Sequence, residues 1–440
     1  MDYKMKDCGV EWIGEIPMEW SIERLKYRTN KIGSGATPLG GAEIYETEGI
    51  LFLRSQNIYN GGLKIEDAFY ITDRIHKEMN RTHVKKNDVL LNITGGSIGR
   101  STIYNLSDEA NVNQHVSIIR CSQNLWPKFL YYFLISPTGQ EQIFNNQQGG
   151  NRESLTFEMI GNFILAMPGY LEQTKIANFL DRETDRFDLI IEKSNASIKK
   201  LQAYRKSVIY EAVTKGLDKK VQMKDSGVEW IGEIPVGWEI SKIKYLSEYF
   251  NGLTYNPDDM TEDSGTIVLR ANNIQNGKLT FNEEVYIDMK ISNKLKLRKD
   301  DILICSRNGS RRLIGKNALV TDDFTGLTFG AFNMVCRSDM SAYLYYVLNS
   351  DVFNSQLSGV LTSTINQLTG QNFGSMVVPN PPLSHQKAIA DYLDTKTSEI
   401  DAAINKLNQL IDTTEKIKKS IIYEYVTGKK RVPDFNTGGV

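Results

Sequence analysis

The chain has 440 residues, with 52 Lys and Arg against 53 Asp and Glu, 34 Gly, 11 Pro and four Cys. At about 150 residues per domain this length predicts about three folding units, and the ordinary Gly and Pro content excludes collagen-like and disordered chains. The longest strongly apolar run, residues 129–135, is far shorter than the roughly 20 residues that cross a bilayer, and residues 1–7 lack a signal-peptide core. No CxxC pair is present, which argues against a disulfide framework or a cysteine zinc site. We therefore expect a cytoplasmic protein with no membrane partner.

The sequence contains one pattern twice. Residues 5–17 read MKDCGVEWIGEIP and residues 223–235 read MKDSGVEWIGEIP, so the two segments differ at one position. Four further pairs of similar segments follow in the same order: 52–58 with 268–274, 86–91 with 299–304, 129–136 with 343–350, and 207–214 with 420–427. Similarity that keeps its order over the whole chain indicates a tandem duplication.

Each copy begins with about 160 residues of short β-rich runs and Gly/Asn turns, which are typical of a compact α/β-type domain. About 45 residues without proline or internal glycine follow, with proline before them and Gly216 or Gly428 after them, which predicts a long helix. Because such a helix extends roughly 65 Å, too far for one domain to cover, we expect the two long helices to pair. The expected pairing residues, at spacings of mostly three and four, are Ile190, Leu201, Val208, Ile400, Ile404, Leu407 and Ile411.

The predicted fold class is α+β: two similar mixed α/β domains joined by two long antiparallel helices that form a coiled coil, with internal pseudo-two-fold symmetry. The predicted boundaries are 1–168 for the first domain, 169–217 for the central long-helix spacer, 218–380 for the second domain, 381–428 for the distal long-helix spacer and 429–440 for a C-terminal tail. Because B-DNA has local two-fold axes, such a molecule can place one domain on each of two half-sites separated by one or more helical turns of about 34 Å.

Three motifs in this order carry a resemblance to a known family. GVEWIGEIP opens each half, Gln-x-x-Ile-Ala-x-[Phe/Tyr]-Leu-Asp opens each long helix from Gln173 and Gln386, and Ser-x-Ile-Tyr-Glu-x-Val-Thr closes it. The arrangement resembles the specificity subunit of type I restriction-modification systems over nearly the whole chain. The resemblance implies that the two globules are target recognition domains and that the chain itself is not an enzyme.

The same resemblance implies the partners of the chain. It would bind double-stranded DNA at a bipartite sequence and hold two copies of an adenine-specific methyltransferase subunit, and a restriction subunit can join that complex. No cofactor is expected on this chain, because S-adenosylmethionine, ATP and Mg²⁺ are expected on the partner subunits.

Candidate DNA contacts lie in Gly-rich loops that follow strand-like runs. Arg can read guanine and Asn or Gln can read adenine by paired hydrogen bonds, while Lys and Arg also bind phosphates. The candidates are Asn92, Thr94, Arg100, Gln114 and His115 in the first copy and Arg307, Asn308, Arg311, Arg312 and Lys316 in the second. Both loops end in Ile-Gly followed by a basic residue but differ in length and charge, so we expect the two domains to read different half-sites. Arg54 and Arg270, at matching positions, fit either a phosphate contact or a structural salt bridge.

Other patterns leave two alternatives open. Residues 380–383 read Asn-Pro-Pro-Leu and lack the aromatic residue with which adenine methyltransferases stack the flipped base. The four histidines have no metal-ligand spacing, so no metal is expected. Asp258, Asp288 and Lys290 resemble the acidic and basic set of a metal-assisted nuclease. A stand-alone nuclease is therefore one alternative, and a coiled-coil protein–protein adaptor is the other.

Overall fold

A computed structural model describes residues 4–38, 40–145, 154–361 and 366–432. The chain forms two compact units. The first unit comprises Met1–Ser194 and Gln409–Val440, and the second comprises Asn195–Asn408. Of the expected C-terminal tail 429–440, residues 433–440 lie outside the described part of the chain.

The first unit contains fourteen strands, four short helices and the first part of a long helix. They are β1 (Met5–Asp7), β2 (Glu15–Pro17), β3 (Ser21–Arg24), β4 (Thr29–Ser34), β5 (Ile50–Leu53), β6 (Ile58–Tyr59), β7 (Gly62–Leu63), β8 (Phe69–Ile71), α1 (Asp73–Glu78), β9 (His83–Val84), β10 (Val89–Asn92), β11 (Ser101–Ile103), β12 (Ala110–Val112), β13 (Val116–Cys121), α2 (Pro127–Ile135), α3 (Pro137–Asn145), α4 (Phe157–Gly161), β14 (Ile164–Met167) and α5 (Tyr170–Lys215). These counts refer to the described residues.

The second unit has a closely similar order of elements. They are β15 (Met223–Asp225), β16 (Glu233–Pro235), β17 (Glu239–Lys242), β18 (Glu248–Asn251), β19 (Met260–Thr261), β20 (Thr266–Leu269), β21 (Ile274–Gln275), β22 (Lys278–Leu279), β23 (Tyr286–Ile287), β24 (Ile302–Cys305), β25 (Asn317–Leu319), β26 (Thr328–Phe329), β27 (Asn333–Arg337), α6 (Ser341–Leu348), α7 (Asp351–Val360), α8 (Gly370–Ser375), β28 (Val377–Asn380) and α9 (Leu383–Val426). The last part of α9 belongs to the first unit.

Each unit is built on two four-stranded sheets. In the first unit the strand orders are β11-β10-β13-β4 and β8-β5-β12-β9, and in the second they are β18-β27-β24-β25 and β19-β23-β20-β26. The first of these sheets is antiparallel in both units, and the second contains one parallel pair, β5 with β12 or β20 with β26. Helices α4 and α8 start from equivalent caps, since Thr156 and Thr369 each accept a hydrogen bond from the backbone N–H three residues later. The duplication read from the sequence therefore extends to topology.

A glycine brings the two sheets together in each unit. A Cβ at Gly35, just after β4, would lie 1.6 Å from the carbonyl oxygen of Val112, and one at Gly252, just after β18, would lie 2.2 Å from that of Phe329. Only a residue without a side chain fits such an approach. The crossing places the start of the loop after β4 or β18 beside the turn that leads into β13 or β27.

A buried ion pair joins neighbouring strands in both units. Arg120 on β13 donates two hydrogen bonds to Asp88, at 2.8 and 2.7 Å, and Arg337 on β27 donates two to Asp301, both at 2.7 Å. Both carboxylates are about 1% exposed, and each also accepts a backbone N–H from the residue three positions earlier. The bidentate geometry fixes the loop before β10 or β24 against the sheet.

The two long helices contact each other in antiparallel orientation within each unit. In the first unit the rings of Phe179 and Tyr425 lie 4.4 Å apart, and Asp188 pairs with Lys418 at 2.6 Å. Residues further along α5 therefore contact residues earlier in α9, as expected for antiparallel helices. In the second unit Arg205 donates two hydrogen bonds to Asp401, at 2.9 and 3.2 Å.

Both α5 and α9 carry a row of buried or half-buried residues at alternating spacings of four and three, the pattern of paired helices. This row is called the seam. In the first unit the seam is Leu180, Thr184, Phe187, Ile191, Ser194, Ile411, Thr414, Lys418, Ile421 and Tyr425. In the second unit it is Ile198, Leu201, Arg205, Val208, Ala212, Leu393, Thr397, Ile400, Ile404 and Leu407. Six of the seven expected pairing residues lie on it, and Ile190 lies one position away and is 40% exposed.

The end of each long helix also closes a domain core. Ile422, Tyr425 and Val426 at the end of α9 join the core of the first unit, together with the buried Trp20. Residues 208–213 near the end of α5 join the core of the second unit, together with the buried Trp238. Across the described residues, no helix is both long enough and apolar enough to cross a membrane.

Candidate nucleic-acid interface

The loop after β10 and the loop after β24 are held by the same backbone hydrogen bonds. In the first unit Ile93 donates its N–H to the carbonyl of His115 at 3.0 Å and accepts the N–H of Leu155 at 2.9 Å. In the second unit Ser306 donates to Phe332 at 2.9 Å and accepts from Leu368 at 2.7 Å. Isolated bridges follow in both, from Thr94 to Ser154 and from Arg307 to Gln367. Thr94 is therefore equivalent to Arg307, and His115 to Phe332.

In the first unit these positions carry a chain of polar side chains. The Thr94 hydroxyl lies 2.6 Å from Nδ1 of His115, whose Nε2 lies 3.1 Å from the Gln114 amide nitrogen. The Gln114 amide oxygen accepts a hydrogen bond from the Thr37 hydroxyl. Thr37 and Gln114 are exposed. The structure thus brings three of the expected contacts together, and it adds Thr37, which no sequence pattern indicated.

The other two first-copy candidates lie elsewhere. Asn92 is fully buried, and its amide donates to the carbonyl of Ser55 at 2.8 Å and to the hydroxyl of Ser97 at 3.1 Å. It therefore holds the loop from inside the domain. Arg100 is half-buried, with its guanidinium 4.8 Å from the centre of the Tyr59 ring.

In the second unit the equivalent positions line a cleft of about 1210 Å³. The guanidinium of Arg307 lies 5.1 Å from the centre of the Phe332 ring, and Phe332 is 59% exposed. The cleft is lined by Leu253, Thr254, Tyr255, Pro257, Met260, Arg270, Ala271, Asn272, Glu283, Arg307, Asn308, Gly309, Gly330, Ala331, Phe332, Asn333, Asn366 and Gln367. A concave surface with two arginines, several amides and aromatic rings is suited to polar, anionic or base-like groups.

The remaining second-copy candidates divide into separate environments. Arg311 donates to the carbonyls of Ser358 and Leu361, at 3.2 and 3.0 Å, and so caps the end of α7. Asn308 lines the cleft and accepts the N–H of Ser310 at 2.9 Å. Arg312 is exposed, and Lys316 is half-buried, with burial lowering the pKa of its ammonium group. The basic residues among the second-copy candidates therefore do not share one environment.

Arg54 and Arg270 occupy equivalent positions after β5 and β20. The guanidinium of Arg54 lies 3.6 Å from the centre of the Phe69 ring, and burial lowers the pKa of Arg54. Arg270 instead donates to the carbonyl of Glu283 at 2.8 Å. Their backbone N–H groups are both accepted by an Asn side chain three residues later, at 2.9 and 2.8 Å. The shared part of this arrangement is the turn, while the surroundings of the two guanidinium groups differ.

The nuclease-like residues show no arrangement that would bind a metal. Asp258, Asp288 and Lys290 are exposed, and the backbone N–H of Asp288 bonds the carbonyl of Asp259 at 3.0 Å. Within the described ranges, no three or more His, Cys, Asp or Glu side chains are grouped so that they could hold a metal ion. The Asn-Pro-Pro-Leu segment is a boundary, since β28 ends at Asn380 and α9 begins at Leu383.

Phe332, Tyr255 and Asn272 are cleft residues that the sequence did not indicate. Asn272 donates to the Glu283 carboxylate at 2.8 Å, and its amide oxygen is buried without a partner. Tyr255 and Phe332 come from loops that the sequence repeat does not align. Only the matched hydrogen bonds reveal that Phe332 corresponds to His115, because the segments between the matched motifs differ in length.

Comparison with known proteins gives a consistent result. The family described as "Type I restriction modification DNA specificity domain" matches residues 27–200 and 235–413, one match in each copy. The chain is 28% identical over 206 residues to the EcoKI type I restriction enzyme specificity subunit of Escherichia coli K12, covering 45% of this chain and 44% of that protein. It is 25% identical over 364 residues to the MjaVIII specificity subunit of Methanocaldococcus jannaschii, covering 80% and 81%.

The match spans less than half the length of the first curated relatives. In fold, the chain is similar to one from a structural study of complex assembly and conformational transition of the type I R-M system, with a TM-score of 0.74 and 15% identity over 94% of this chain and 99% of that one. This likeness supports the α+β class with two similar domains and two long helices.

Proposed function

Because the chain belongs to the family of type I restriction modification DNA specificity domains, we propose that it is the DNA-reading specificity subunit of a type I restriction-modification complex. Each unit reads one part of a bipartite duplex sequence. The chain performs no chemistry itself and acts in the cytoplasm. Methyltransferase subunits bind to it and modify adenines near the sequences that it selects.

One observation carries this proposal: the two units present different side chains on the same backbone scaffold. Thr94 and His115 in the first unit stand where Arg307 and Phe332 stand in the second. A duplicated protein that bound the same ligand twice would have no reason to differ at these two positions. Reading two different half-sites requires such a difference, because base edges are distinguished by the pattern of donors and acceptors that meets them.

The long helices supply the scaffold for partner subunits. In the first unit Leu189 and Ile190 on α5 are 49% and 40% exposed, and Leu410 and Ile417 on α9 are 45% and 44% exposed. Apolar side chains that lie outside the seam are available to a partner. We propose that two methyltransferase subunits dock on the helices, that a restriction subunit joins this complex, and that S-adenosylmethionine, ATP and Mg²⁺ are bound by those subunits.

Single-molecule methylation mapping tests this function. DNA from cells that express the methyltransferase subunit with this chain should carry methylated adenines in one bipartite motif, and DNA from cells without the chain should lack them. In vitro, the purified chain should bind duplex DNA weakly and less well as salt rises, since phosphate contacts release counterions. Cleavage of DNA by the chain with Mg²⁺ alone would favour the nuclease. Weak binding to every duplex, unaffected by the methyltransferase, would favour the adaptor.

A further inference from the structure

The second unit holds the backbone of Arg307 in a fixed position, as the reading of a base requires. The carbonyl of Phe332 accepts the backbone N–H groups of both Ser306 and Arg307 at 2.9 Å, and the hydroxyl of Ser306 at the same distance. On its other side the backbone of Arg307 pairs with that of Gln367 in an isolated antiparallel β-bridge. The backbone that carries the guanidinium is therefore fixed from two directions, which is the preorganisation that a specific contact requires.

The side chain of Arg307 is also placed by its neighbour. Its guanidinium lies over the Phe332 ring, and this contact restricts the plane in which its N–H groups point. A planar guanidinium can give two parallel hydrogen bonds to O6 and N7 of guanine. Phe332 is exposed and lines the cleft beside this arginine, so its ring can hold the guanidinium in one orientation.

The comparison between the units separates base contacts from other contacts. Phosphates are the same in every half-site, so a residue that binds phosphate has no need to change between the copies. Arginine is retained at the equivalent positions Arg54 and Arg270, although the surroundings of the two guanidinium groups differ. Arg307 is replaced by Thr94 in the first unit, and Phe332 is replaced by His115.

From these observations, and resting on the proposed function, we infer that Arg307, oriented by Phe332, is a specificity-determining residue that reads a guanine in the half-site of the second unit. The first unit, with Thr94, Gln114 and His115 in that place, does not read guanine in this way. Arg311 has no part in base reading, because its guanidinium caps α7.

The test uses the complex of the full chain with its methyltransferase subunit. Methylation mapping of the wild type first defines the motif. For each guanine position of the second half-site, binding is then measured on four duplexes that differ only in the base pair at that position. At one position the wild type should prefer guanine by about 5- to 150-fold, the range for a bidentate base contact. R307A should bind the four duplexes equally there and should keep its selectivity in the other half-site.

R298A is the matched control, since Arg298 is exposed, lies outside the residues that line the cleft and is not among the expected DNA contacts. It should keep the guanine preference. If R307A binds no duplex, F332L gives the second reading, because it keeps the arginine and removes only the ring. F332L should reduce discrimination at the same position.

Three results would overturn the inference. The first is an unchanged guanine preference in R307A. The second is a loss of affinity in R307A by the same factor on all four duplexes, as for a phosphate contact, so that the preference for guanine remains. The third is full discrimination in F332L. Failure of the proposed function looks different, since the wild-type complex would then give no bipartite motif at all.

Discussion

Replacing Asp301 with Ala should destabilise the second unit selectively. The Asp301 carboxylate is 1% exposed and accepts two hydrogen bonds from Arg337, whose side chain is 16% exposed. The hydrogen bonds to Asp301 raise the pKa of Arg337. The guanidinium stays charged when this partner is removed, because arginine is not deprotonated in proteins. Leaving a buried charge without its partner costs about 3–5 kcal/mol of unfolding free energy.

This cost sets the size of the expected effect. One kcal/mol lowers the melting temperature of a domain of this size by about 2–4 °C, so D301A should melt about 6–20 °C lower. Calorimetry measures the shift, and hydrogen exchange with mass spectrometry shows which unit opens. Peptides of the second unit should exchange faster, and those from residues 4–38 of the first unit should change little.

Two further variants separate the effect of the buried charge from other effects of the substitution. D300N removes a charge from the neighbouring exposed position, where Asp300 has a φ of 66° and the equivalent Asn87 a φ of 72°, so it should leave stability within about 0.5 kcal/mol. D301A/R337M removes both charges and should be more stable than D301A alone. A D301A protein that melts like the wild type, or a double variant weaker than D301A, would refute the account of this ion pair.

The remaining predictions concern the seam and the cysteines. I404D/L407D places two charges in the half-buried seam and should abolish assembly with the methyltransferase while both globules stay folded. Light scattering measures the assembly. N405D, at an exposed position between the two, is the control. Assembly of the double variant at wild-type strength would refute it. Burial raises the pKa of three thiols, those of Cys121, Cys305 and Cys336. At pH 8 a thiol reagent should therefore label Cys8 first, the half-buried Cys121 more slowly, and Cys305 and Cys336 only after unfolding; equal labelling of all four in the folded chain would contradict this.

The long helices could be predicted closely because their limits are written locally. Helix α5 begins at Tyr170, directly after Pro168-Gly169, and ends at Lys215, directly before Gly216. Helix α9 begins at Leu383 after two prolines. The sequence does not distinguish Ile190 from Ile191, because adjacent isoleucines fit the spacing equally well; in the structure Ile191 is half-buried and Ile190 is exposed.

The interface could be predicted only in part, because it depends on pairing between distant strands. The ion pair of Asp88 with Arg120 becomes visible only when β10 lies beside β13. In the same way, Thr94 meets His115 and Arg307 meets Phe332 only once the sheets are formed. Composition marked the loop 307–312 as basic, but the environment of each arginine separates Arg307 in the cleft from Arg311 on α7.

The central claim is that each unit reads its own part of the target. An exchange of residues 18–165 for the corresponding segment of another family member, followed by methylation mapping with the same methyltransferase subunit, tests it most directly. The first half-site should change to that of the donor, and the second half-site should stay the same. A change in both half-sites, or in neither, would contradict the account.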